Sequence, residues 1–151
     1  MPDITLRQFN ADDSQRIIDW FQDDRDGFEQ LMGVVLPDDL SCTMAVTSLL
    51  NAQEQGHAIV RMVDRGDDTI GAAILTEFAP DQGTARPHLY VIPSQRKHSI
   101  KAARASESFA KSLGISSLLT TISHNNKRAL ALVRRLGYGV VPQALLIKEL
   151  S

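Results

Sequence analysis

The hydrophobic period of this chain changes at His57, and that change limits the folds open to it. Before it, apolar residues fall at helical spacing. Ile17, Trp20 and Phe21 follow the cap-type residues 10–14, so a first helix is expected from about Asp12, with an acidic first turn that suits the helix dipole. Residues 28–36 form a short apolar segment of one or two helical turns, stopped by Pro37. A longer helix is expected over 38–55, with Leu40, Met44, Leu49 and Leu50 toward the core and Gly56 as its stop. After His57 the pattern is β. Residues 57–63 and 69–78 flank a turn-forming stretch and read as a hairpin, and 84–92 is a third β-run.

Residues 4–9 alternate and read as an opening strand. A polar break at 93–98 leads into a helix over 99–113, with Ile100, Ala103, Phe109, Ala110 and Leu113 on its apolar face. A strand over 116–122, a helix over 127–136 and closing strands at 138–141 and 144–150 complete the order. A strand–helix–strand unit after an antiparallel meander implies an α+β (mixed α/β) domain over 1–151: a mixed, mostly antiparallel sheet flanked by about four helices.

Hydrophobic residues make up 43% of the 151 positions and charged residues 23%, enough to fill a core and too many apolar groups for wholesale disorder. Sixteen basic residues against eighteen acidic leave a charge of −2, with no broad basic footprint for nucleic acid or an anionic membrane. No stretch reaches the roughly 18 apolar residues of a membrane helix, and the first residues lack the pattern of a signal peptide. A cytoplasmic location is expected. Cys42 is the single cysteine, so no internal disulfide forms, and its place in the long helix predicts a core thiol. The four histidines show no metal-ligand spacing, and no metal is expected.

Chemistry concentrates between Leu89 and Lys101. A polar turn there feeds a helix N-terminus, whose N–H groups favour an anion, and Arg96, Lys97, His98 and Lys101 add positive charge. An ordinary strand-to-helix connection with solvated bases reads the same way. The stretch resembles the acyl-CoA-binding core of the GNAT N-acetyltransferases, in which a strand ending Leu-x-Val-x-Pro is followed by Arg/Gln-x-x-Gly-x-Gly/Ala. Leu89, Val91, Pro93 and Arg96 match. Downstream, Asn126, Ala129, Leu132, Gly137 and Tyr138 match the family's Asn-x-x-Ala-x-x-Leu-Tyr-x-x-x-Gly-Phe helix. Ser99 and Lys101 stand where the family has glycines, and Val133 stands where it has a tyrosine that protonates the departing thiolate.

The resemblance implies acetyl-CoA as cosubstrate and direct transfer to a primary amine of a small molecule or protein, in a ternary complex. Backbone groups of Arg96, Lys97, His98, Ser99, Ile100 and Lys101 would hold the pyrophosphate. Those of Leu89, Tyr90 and Val91 would hold the pantetheine arm, with Asn126 in the same cofactor site. His88 is the first candidate for the base, with a reference pKa of about 6.5, and Glu77 the second, through water. Tyr90 is expected to face away from His88. Asp23, Asp24 and Asp26 would attract a cationic amine to a site between the first helices and the meander. The departures leave open a second reading. In it the chain is a catalytically inactive relative, a protein-interaction or structural part of a larger assembly such as a phage particle, working with a protein partner or as a homo-oligomer. The two readings separate at one place: the strand bearing Leu89–Val91 either splays from the strand at 116–122, leaving room for pantetheine, or packs against it.

Overall fold

The computed structural model describes residues 3–32, 36–79, 81–141 and 146–150. The chain divides into two compact units, Met1–Thr121 and Ile122–Ser151. In the first, β1 (Ile4–Gln8) leads to α1 (Asp12–Asp23), α2 (Arg25–Met32) and α3 (Asp39–Glu54), then to β2 (Ile59–Arg65), β3 (Asp68–Ala79) and β4 (Thr84–Val91). A six-residue 3-10 helix over Pro93–His98 runs directly into α4 (Ser99–Ser112), which returns to β5 (Ser117–Leu118). In the second unit, α5 spans Lys127–Arg135.

The sheet order is β1-β2-β3-β4-β5, antiparallel throughout except for the parallel pair β4–β5. That is the mixed, mostly antiparallel sheet expected from the order of periods. Strand alternation then sorts the core into two layers. Met62, Ala72 and Tyr90 face the three N-terminal helices and pack with Ile17, Trp20, Phe21, Phe28, Cys42 and Val46. Val63, Ile70, Ala73 and Val91 pack with Ala102 of α4, while Leu75 and Ala85 pack with Ala110 and Ile115. Alanines on α4 let the helix lie close over the sheet. Gly71 serves a similar end, since a Cβ there would fall on the carbonyl oxygen of Tyr90 in the neighbouring strand.

Local chemistry sets several of the boundaries. Asp38 caps α3, its carboxylate accepting from the Ser41 N–H at 2.8 Å. At α1 the carboxylate of Asp13, inside the first turn, turns back to accept the Asn10 N–H at 2.8 Å. Asp13 is fully buried and receives a bidentate pair from Arg7 at 2.8 and 2.9 Å. Arg7 also donates to Asp64 at 2.8 Å and Thr69 at 3.0 Å, so one guanidinium ties the start of α1 to the β2–β3 hairpin.

Four expectations are corrected. Leu40 and Met44 do not reach the core; they are 67% and 62% exposed. The buried stripe of α3 is Cys42, Val46 and, half-buried, Leu50; positions two residues earlier point about 200° away on a helix. The second helix starts earlier than residue 28, at Arg25, and carries Gly27 inside it. The strand expected over 116–122 is two residues long. The closing strands are absent at 138–141 and 146–150, and residues 142–145 lie outside the described residues. Val140, Leu146, Ile147 and Leu150 are instead exposed. β propensity forms a strand only against a partner, and among the described residues these segments have none.

Candidate active site

β4 is the strand that organises the site. The Ile92 N–H donates to the Ile70 carbonyl at 2.8 Å, and Tyr90 and His88 lie opposite Ala72 and Ile74. In an antiparallel ladder the groups aimed at one neighbour alternate, so the main-chain groups of Leu89 and Val91 point to the other side, toward β5. There the pairing is brief. β5 meets only Thr84 and Ala85, and the last bond runs from the Leu119 N–H to the Ala85 carbonyl at 3.0 Å. Beyond it no strand among the described residues pairs with this side of β4, which leaves the edge at Leu89–Val91 open but for the Arg96 side chain on the Val91 carbonyl.

The open edge leads to the start of α4. Lys97 and Lys101 are exposed there, and Arg65 at the end of β2 lies close enough to act on the same imidazole, that of His98. Burial, then the charges of Arg65, Lys97 and Lys101, hold His98 below the usual imidazole range. Its Nε2 is shielded from solvent and has no hydrogen-bond partner among the described residues. Three cations around an imidazole nitrogen with no partner among the described residues fit an anion such as a pyrophosphate. The main chain is wound more tightly than an open loop: the Ser99 N–H is taken by the Arg96 carbonyl and the Gln95 N–H by that of Ile92, at 2.9 Å. Ser99 and Ile100 are half-buried in the first turn of α4. Asn126 lies in the second unit, where its side chain caps α5 by accepting from the Ala129 N–H at 3.1 Å.

Arg96 is turned inward. Its Nη2 lies 2.6 Å from Asp24 Oδ2, and its Nε donates to the Val91 carbonyl at 3.3 Å. The Tyr90 hydroxyl donates to the same Asp24 oxygen at 2.9 Å. Burial, then the hydrogen bond to Asp24 and its charge, push that phenol well above its ordinary pKa. The Tyr90 ring sits between Trp20 and Phe28, with centroids 5.7 and 5.6 Å away. Asp24 thus joins the α1–α2 junction to β4 and the 3-10 helix. Gly27 makes room for it, because a Cβ there would fall on the Asp24 carboxylate and press on Arg96. Of the three carboxylates expected to attract an amine, Asp24 is committed to Arg96 and Tyr90, while Asp23 and Asp26 are exposed. Cys42 is buried, and burial, then the charge of Asp39, push its thiol up to about 11, so it is no nucleophile at neutral pH.

His88 and Tyr90 share the face that packs against α1–α3, contrary to the expectation for Tyr90, because residues two apart on a strand point the same way. His88 Nε2 is 2.9 Å from Thr76 Oγ1 on β3. Immediately after Thr76 the β3–β4 register shifts, and Glu77 sits in the bulge with φ +48°. Its carboxylate is 72% exposed and 3.7 Å from Arg86. The two candidate bases therefore stand on adjacent strands beside one bulge. Asp24 was expected as an amine-attracting carboxylate and proves to be the partner of Arg96 and Tyr90, while nothing in the sequence pointed to Thr76 or Arg65; each enters through a partner distant in the chain. No group of three or more His, Cys, Asp or Glu side chains among the described residues is placed to hold a metal ion.

The acetyltransferase (GNAT) domain family matches residues 3–139. No curated protein matches the sequence. Among solved structures, the spermidine N-acetyltransferase from Vibrio cholerae in complex with CoA and spermine is 15% identical, with a TM-score of 0.77 over 97% of this chain and 86% of that one. The ribosomal L7/L12 alpha-N-protein acetyltransferase RimL in complex with coenzyme A is 13% identical, with a TM-score of 0.73 over 89% and 79%. The Campylobacter jejuni N-acetyltransferase PseH in complex with acetyl coenzyme A is 14% identical, with a TM-score of 0.71 over 93% and 92%. At these identities the likeness is one of fold, and the family match spans most of the chain: it belongs to the GNAT acetyltransferase domain family.

Proposed function

We propose that this protein is an acetyl-CoA-dependent N-acetyltransferase that acts on a primary amine. The observation that carries the reading is the open edge of β4 at Leu89–Val91, which runs straight into the cationic start of α4. Solved proteins of the same fold hold CoA or acetyl-CoA, which agrees with it. A spermidine enzyme and a ribosomal-protein enzyme among them are consistent with an amine acceptor, small or protein-borne.

Acetyl-CoA, when bound, supplies a thioester carbonyl whose C–S bond breaks as an amine nitrogen forms the new C–N bond. The chain's own residues do the rest. Arg65, Lys97 and Lys101 neutralise the pyrophosphate and His98 offers it an N–H, with Arg96 bracing the turn through Asp24 rather than meeting the anion itself. Main-chain groups of Leu89 and Val91 hold the pantetheine amides, and the Val91 N–H faces the side on which a carbonyl oxygen would need a donor. His88, held by Thr76, takes the proton that the amine must lose, with Glu77 as the alternative acceptor through water. Valine at 133 donates no proton, so the thiolate leaves unassisted or takes its proton from solvent.

One observation favours the inactive reading. The main chain before α4 is wound into 3-10 turns whose N–H groups bond internally, which leaves fewer of them for phosphate oxygens. Calorimetry with acetyl-CoA, and with free CoA for comparison, decides between the two. Saturable binding that weakens at least about tenfold in Lys101→Glu is expected, since one phosphate-facing cation is replaced by a repelling charge. Release of CoA thiol with a panel of primary amines should follow. Absence of binding to the full chain would overturn the proposal and leave the interaction-module reading.

A further inference from the structure

At the end of the sheet away from residues 93–101 there is a cleft of about 370 Å3, at the small end of the range for ligand sites. Gln8, Phe9, Gln53, Ile59, Arg61 and Phe78 line it. Strand direction puts it there: Gln8 lies opposite Arg61, and Ile59 opposite Leu75, far along the sheet from the Gly71–Val91 pair that precedes the turn into α4.

Arg61 is half-buried in the wall. One face of its guanidinium is covered by the Phe109 ring, 4.9 Å from the centroid, and Nη1 donates to the Val60 carbonyl at 2.9 Å. Arg7, Arg16, Arg25, Arg86 and Arg96 each have a carboxylate partner; among the described residues none pairs with Arg61. A guanidinium donates up to five hydrogen bonds and accepts none, so its remaining donors can serve an acceptor bound in the cleft, and its charge favours an anion. Gln53 adds to this polarity. Its Oε1 is taken by the Val60 N–H at 2.7 Å, so the side chain has only its NH2 group to offer. The other walls, Phe9, Ile59 and Phe78, are apolar.

We propose that this cleft binds a small monocarboxylic acid with an apolar or aromatic body. The carboxylate meets Arg61, with Gln53 and Gln8 as further donors, and the body lies against Phe9, Ile59 and Phe78. The cleft lies at the end of the sheet away from the cationic turn at 93–101, with Phe78 next to the bulge at Glu77, and the proposal does not depend on the acyltransferase reading.

The test is a titration of the full chain with phenylacetate and with hexanoate, followed by 15N NMR at the Gly56 amide and the side-chain amides of Gln8 and Gln53. 2-Phenylethanol and inorganic phosphate are the controls. Saturable shifts with the acids are expected, with binding at least about tenfold weaker for the alcohol and for phosphate. Arg61→Gln should abolish the acid response while the rest of the spectrum is kept. Gln8→Glu guards against loss of fold in that variant. Position 8 is exposed and directly opposite Arg61, so the new carboxylate supplies an internal partner and repels the ligand. Acid binding should fall about tenfold in it, with the melting temperature unchanged or raised. The proposal is overturned if the alcohol binds as well as the acids, if phosphate does, if no shift saturates, or if Gln8→Glu leaves acid affinity unchanged.

Discussion

Two titratable groups, buried Asp13 and half-buried His98, set the residue-scale behaviour of this protein. Burial alone would raise the Asp13 carboxyl, but the hydrogen bonds from Arg7 and from the Asn10 N–H, with the charges of Arg7 and Arg16, outweigh it and hold it below the ordinary 3.8. A depressed carboxyl stabilises the fold above its unfolded pKa, and that contribution is lost as pH falls through the folded value. Asp13→Asn should therefore cost about 2–3 kcal/mol at neutral pH, because Arg7 loses its bidentate partner. Its urea midpoint should also fall less steeply than the wild type's below about pH 4. An unchanged midpoint at neutral pH would refute the role given to the pair. His98 works with the same sign at a higher pH. Its pKa is lowered in the folded chain, so the unfolded chain takes up the proton first as pH falls past about 6.5, and stability declines there. An anion beside it raises the pKa again. Acetyl-CoA binding near pH 6 should take up protons, seen as a binding enthalpy that changes with the buffer's ionisation enthalpy. The effect should vanish in His98→Gln, and buffer-independent enthalpy in the wild type would place the anion elsewhere.

At the scale of the element, the bulge in β3 separates strain from chemistry. Glu77 holds φ +48° without being glycine or asparagine, at a cost of about 1 kcal/mol, and its exposed ion pair with Arg86 returns little. Glu77→Gly should leave stability level or slightly higher, within about 1 kcal/mol. If Glu77 relays the amine's proton, the same variant loses acetyl transfer at saturating amine; unchanged transfer would leave His88 as the base. β4 argues the same lesson from the other side. Its Leu-x-Val-x-Pro ending was legible as a motif, and so was the turn into α4. The open edge was not, because it depends on β5 leaving the sheet after two residues. The apparent strand over 116–122 has the right residue types throughout and ends where its partner's hydrogen bonds end.

The whole molecule divides unevenly. Among the described residues, the three buried clusters lie between Ile4 and Leu118, and so do the five strands. A chain ending at Thr121 should keep its sheet and unfold cooperatively, as judged by far-UV circular dichroism against urea. A non-cooperative transition would mean that residues 122–151 are required for the core. The net charge of −2 spreads no strong field over the surface, so the positive start of α4 stands out as a local feature, built by residues from β2, the 3-10 helix and α4 together.

The sequence by itself determined the order of elements as far as the last helix, the mixed sheet, the buried thiol and the two motifs of the family. These rest on periodicity, capping and turn chemistry, which act between residues a few positions apart. Only the tertiary structure decided that Asp24 braces Arg96 and Tyr90, that Thr76 holds His88, that Leu40 and Met44 face solvent, and that Arg61 lines a cleft without a counter-charge. Each of those facts depends on which groups meet across the sheet. Packing and hydrogen bonding fix that over separations at which the sequence carries no periodic signal.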